Sequence, residues 1–89
     1  MDERSYLMIY VDVFLPVIDK TYDFTLDENA AIGVLIEEVA EIITQKEQCK
    51  FDGKIKELVF CTEDMGNVMA KNKTLMEYGI HTGSRIIMA

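Results

Sequence analysis

From residue 7 onward apolar and polar positions alternate along the chain. Leu7, Ile9, Val11 and Val13 interleave with Met8, Tyr10, Asp12 and Phe14. A period of two with β-branched and aromatic content predicts a first strand whose Ile/Val set faces a core. Pro16 has no N–H to give a sheet ladder, so a connection falls there. Tyr22, Phe24 and Leu26 then alternate with Thr21, Asp23 and Thr25. This is a second strand, and the short link makes the pair a hairpin. At Ile32 the spacing changes to three and four. Ile32, Leu35, Ile36, Val39, Ile42 and Ile43 form the apolar stripe of a helix. Asp27 or Asn29 is expected to open it with a side-chain oxygen. Glu37, Glu38 and Glu41 fall off the stripe and read as a solvated face. Gly33 costs about 1 kcal/mol relative to alanine inside a helix, and is expected to mark a close approach to the sheet.

Downstream the elements shorten. Residues 45–54 are polar, with a turn expected at Phe51-Asp52-Gly53. Leu58 and Phe60 alternate with Val59 and Cys61 in a third strand. A turn at 63–67 leads to a short strand at Val68-Met69-Ala70, and Lys71-Asn72-Lys73 turns again. Thr74 to Tyr78 reads as one helical turn, closed by Gly79 in a left-handed conformation. Residues 84–88 make the last strand. The order is β-β-α-β-β-β. The first and last strands lie side by side in parallel only through a long crossover, which the helix and intervening strands supply. The fold class is α+β, a β-grasp: a mixed four- to five-stranded sheet packed on one main helix, with residues 1–89 as a single domain.

Composition narrows the function classes. Eighty-nine residues hold one core, and a 49% hydrophobic fraction is enough to form it. Net charge is −7, with no run among the 9 basic residues. Phosphate backbones and anionic membranes recruit clustered Lys and Arg, so neither is an expected partner. The apolar stretch at 7–18 is interrupted by Asp12, too short to span a bilayer, and preceded by no positive leader. A cytoplasmic protein without membrane insertion is expected.

Candidate chemistry is sparse. Cys49, Cys61 and His81 match no zinc spacing. They read as two free thiols in a reducing cytosol and one exposed loop histidine, while a disulfide stays open. No basic neighbour is indicated that would activate Cys61. With no grouping of acid, base and nucleophile, the chain is read as a non-enzyme with no catalytic residue, metal or cofactor.

Several residues resemble the ubiquitin-like pattern in its own order. Leu58-Val59-Phe60 is similar to the Leu-Ile-Phe of ubiquitin's third strand. Thr74-Leu75, then Tyr78-Gly79-Ile80, resembles the Thr-Leu-x-x-Tyr-Asn-Ile segment, with glycine at the position that tolerates a positive φ. The segment at 62–73 is longer, and no Gly-Gly follows the last strand. A narrower likeness is to the bacterial YukD/EsaB proteins that accompany type VII secretion systems. Thr21-Tyr22-Asp23-Phe24, an Ile-x-x-Leu helix and the stop at Ala89 carry it. The resemblance implies a non-conjugating protein-interaction module, a cytosolic accessory or regulator of the secretion machine. The alternative on the same fold is a carrier or conjugated modifier, which requires a terminal Gly-Gly.

Strand alternation also says what the helix-free face displays. Met8, Tyr10 and Phe14 from the first strand, Val59 and Cys61 from the third, and Ile87 from the last point away from the helix. In ubiquitin this face holds the apolar patch that most partners bind, and the resemblance places Val59 and Ile87 on it. A contiguous apolar patch marks a protein contact. The expected occupant is a secretion-system component, or a second copy in a homo-oligomer.

Overall fold

Hydrogen-bonded alternation begins in earnest at β1 (Met8–Leu15), which pairs antiparallel with β2 (Lys20–Asp27) from Met8↔Asp27 to Leu15↔Lys20. The computed structural model describes residues 8–48, 55–63 and 66–89. Leu7, Cys49, the turn at Phe51-Asp52-Gly53, and Asp64 and Met65 of the later turn lie outside them. The hairpin turns at 16–19, where Ile18 and Asp19 donate to the carbonyls of Leu15 and Pro16. Asp19 has φ 54, a left-handed value that aspartate tolerates better than most residues.

The long helix α1 (Ile32–Glu47) buries Ile32, Leu35, Ile36, Val39, Ala40 and Ile43. Ile42, expected in the stripe, is exposed, and Ala40 takes its place. At about 100° per residue Ile42 falls at the margin of the face that Ile32, Ile36, Val39 and Ile43 share. Neither Asp27 nor Asn29 caps the helix. The N-cap is Ala31, without a side-chain bond, and Asp27 Oδ1 instead accepts the Asn29 N–H at 2.9 Å. The first helical donors go to a neighbouring loop. Ile32 N–H reaches the Lys73 carbonyl at 2.8 Å, and Gly33 N–H reaches that of Lys71 at 3.0 Å. Backbone carbonyls thus satisfy the orphan N–H groups that a capping side chain would take. The same loop explains Gly33. A Cβ there would stand 3.2 Å from Lys71 Cβ, so the close approach is to this loop and not to the sheet.

Two short strands complete the sheet. β3 (Phe60–Thr62) pairs antiparallel with β4 (Arg85–Met88), and β4 pairs parallel with β1. The order is β2-β1-β4-β3. The third strand starts later than its apolar pattern suggests, although Val59 exchanges both backbone hydrogen bonds with Ala89, at 2.8 and 3.0 Å. The expected strand at Val68-Met69-Ala70 reduces to one bridge, Cys61↔Val68. Met69 faces the core, as the next residue of a strand would, and its N–H donates to the Phe60 carbonyl at 2.8 Å, but among the described residues no further pair follows. Among the described residues the sheet therefore has four strands.

The 74–80 segment shows why those residue types recur together. Thr74 N–H donates to Glu77 Oε2 at 2.8 Å, and Glu77 N–H donates to Thr74 Oγ1 at 3.2 Å. This reciprocal capping box opens the 3-10 turn Met76–Tyr78. Leu75 is fully buried, and Tyr78 OH accepts the Ala70 N–H at 2.8 Å. Gly79 closes the turn at φ 72, which returns the chain to Ile80 against the core.

Candidate binding surface on the open sheet face

Side-chain direction on this face follows from register. Ile9, Val11, Val13 and Leu15 join the core under α1, as do Ile86 and Met88. Met8, Tyr10, Asp12 and Phe14 of β1, with Arg85 and Ile87 of β4, therefore occupy the opposite face. Phe14 pairs with Ile87, Ile87 with Cys61, and Cys61 with Val68. These four form one apolar row across the sheet, and Val59 lies beyond it on the Ala89 side. The next row holds Asp23, Asp12 and Arg85. Tyr10 and Met8 lie past that charged row.

The six residues expected to make one patch are thus divided. Tyr10 sits four residues from Phe14, about 13 Å along an extended strand. The Asp12–Arg85 row lies between them, and Arg85 leans from it over the Phe14 end of the apolar row, with its guanidinium 5.1 Å from the Phe14 ring centroid and 3.5 Å from Thr21 Oγ1. Exposure divides them again. Tyr10 is 66% exposed and Met8 is also open, whereas Phe14 and Val59 are half-buried. Ile87 and Cys61 retain only 6% and 5% of their surface. Their neighbours in the row flank them on both sides, so they form the floor of the patch and not its outer surface. Pattern reading missed Val68, which is 61% exposed at the end of the row. Its only sequence signal is its position opposite a strand across a turn.

Arg85, Asp12 and Asp23 give the face its electrostatic character. The Asp12 carboxyl is held above its ordinary value of 3.8, chiefly by its hydrogen bond with Asp23. Desolvation and the Asp23 charge push it the same way, and Arg85 pulls it back.

The other candidates have structural places. Glu37, Glu38 and Glu41 are exposed on α1, and Cys61 is a free thiol. His81 lies in an exposed loop with Nδ1 2.9 Å from the Thr82 carbonyl oxygen. Among the described residues no group of three or more His, Cys, Asp or Glu side chains is placed to hold a metal ion. Among them, too, no helix is long and apolar enough to cross a membrane.

No family model and no curated protein matches this sequence. Solved structures do match in fold. The ubiquitin-like domain of Plasmodium falciparum Dsk2 superposes with a TM-score of 0.70 at 15% identity, over 91% of this chain and 95% of that one. The EccD5 ubiquitin-like domain from Mycobacterium xenopi gives 0.71 at 18% identity, over 92% of both chains. A chain of the MycP5-free ESX-5 inner membrane complex gives 0.74 at 16% identity, over 93% of this chain but 21% of its own length. At such identities the likeness establishes the fold alone, and that fold is the ubiquitin-like β-grasp.

Proposed function

We propose that this chain is a ubiquitin-like protein-interaction module, a cytosolic accessory of a bacterial type VII secretion system that works by non-covalent contact. The observation that carries it is the helix-free sheet face. There an apolar row, Phe14–Ile87–Cys61–Val68, lies beside a charged row that forms a polar margin. Apolar centres with polar rims are the anatomy of protein contacts. The secretion assignment is supported by the YukD/EsaB-like motifs and by likeness in fold to EccD5 and to the ESX-5 complex chain.

The test is co-purification with the tagged membrane core of the secretion system from cells that carry both. The parent protein should be recovered as a non-covalent partner, and Val68→Lys with Tyr10→Ser should reduce recovery. Equal recovery of parent and variant would remove the face from the contact. A covalent adduct surviving denaturing, reducing gels would favour a conjugated modifier.

A further inference from the structure

We propose that the outer edge of β2 accepts an extended basic segment of a partner protein as an added strand. This edge is apart from the sheet-face contact and does not depend on it. β2 is the terminal strand of the sheet. Tyr10 carbonyl and Asp12 N–H bond toward Gly83 and Ser84, on the β4 side. In a ladder, backbone direction alternates with each residue. Ile9, Val11 and Val13 therefore bond to β2 through Leu26, Phe24 and Tyr22, their partners in register. The backbone groups of Thr21, Asp23 and Thr25 then point outward. Among the described residues no strand pairs with them. The opposite edge differs, because Met69 N–H already donates to the Phe60 carbonyl and Thr62 N–H to that of Asn67.

The side chains along this edge choose the occupant. A strand added to β2 would place alternate residues on the two faces of the sheet. On the open face they would meet Asp23, with Asp12 directly behind it and Asp27 further along; Arg85 reaches only the Thr21 end. On the helix side they would meet Tyr22 and the flank of α1. Lys46 Nζ lies 5.6 Å from the Tyr22 ring centroid, and exposed Ile42 stands one turn before Lys46. That flank is distinct from the one where Glu37, Glu41, Thr44 and Gln45 line a groove with Ile55 and Lys56. The complement is a segment alternating basic and apolar residues. A second copy is disfavoured, since pairing two β2 edges brings two sets of these carboxylates together.

The probe is a capped peptide of alternating lysine and valine, matched in length to β2, added to the full chain and read by amide shifts and hydrogen exchange. Exchange should slow at Thr21, Asp23 and Thr25. Asp23→Lys should weaken binding about tenfold, with Asp23→Asn intermediate and sufficient should the reversal not fold. No binding, equal binding of a peptide with its lysines and valines in separate blocks, or variants binding like the parent would overturn the proposal. Shifts confined to Tyr10 and Val68 would also overturn it, and would speak for the sheet-face contact alone. Peptide-independent dimerisation through the same amides would replace it with self-pairing.

Discussion

Asp12 and Asp23 stand directly opposite each other across β1 and β2, on the face turned away from α1. Their positions alternate with the hydrogen-bonded pairs, so theirs is the closer type of cross-strand pair. The hydrogen bond between them, with desolvation and the Asp23 charge, raises the Asp12 carboxyl above 3.8, and the native state binds that proton more readily than the unfolded chain. The stability this lends is complete below 3.8 and is lost as pH rises through the raised folded value. At neutral pH two like charges remain side by side. Asp23→Asn should therefore raise Tm at neutral pH, and the gain should shrink as pH falls through the raised Asp12 value toward 3.8. Melting curves across that range check the sign; a lower Tm for the variant at neutral pH would contradict it.

Val39 is fully buried where α1 meets the sheet. Val39→Asp would place a carboxylate among apolar side chains, at a cost of several kcal/mol. Since a domain has about 5–15 kcal/mol to lose, the variant should be unfolded or melt far below the parent. An unchanged melting curve would displace the helix from the core.

Gly79 tests the turn chemistry without packing. A Cβ there would meet nothing within 4 Å, yet φ is +72. Gly79→Ala should cost about 1 kcal/mol from backbone conformation alone. Gly79→Asn should cost less, because asparagine visits this region more readily. Denaturant unfolding of the two variants resolves the order.

Much of this architecture is legible in the chain because its signals are local. Period two in 8–15 and 20–27, the shift to helical spacing at Ile32, and the Thr74–Glu77 box with Gly79 each act within a few residues. The failures are long-range. Asp27 looks like a cap, but carbonyls of the 71–73 loop, some forty residues on, satisfy the helix. Val68 looks like a strand start, yet its pairing across the turn is limited to the Cys61↔Val68 bridge among the described residues. Alternation gave Tyr10, Phe14, Val59, Cys61 and Ile87 a common face but not their register. Register sets Asp12 and Arg85 between Tyr10 and the apolar row. It also buries Ile87 and Cys61 beside their neighbours.

That burial separates two substitutions on the same row. Ile87→Lys must lift an ammonium out of a covered position, and its long stem relieves only part of the strain. A loss of roughly 2 kcal/mol is expected. Val68→Lys, at an exposed site, should stay within about 0.5 kcal/mol of the parent. Paired denaturant curves decide this, and equal losses would mean that the row is not layered as described.

The sheet-face contact itself is tested most directly by site-specific photo-crosslinking in cells carrying the secretion system. A benzophenone side chain replaces Val68 or Tyr10 on the face, and in a third protein Val17, which is 79% exposed in the β1–β2 turn. Adducts to one secretion-system protein should form from positions 68 and 10 and not from 17. Adducts from 17 alone, or from all three alike, would contradict a binding surface on the open sheet.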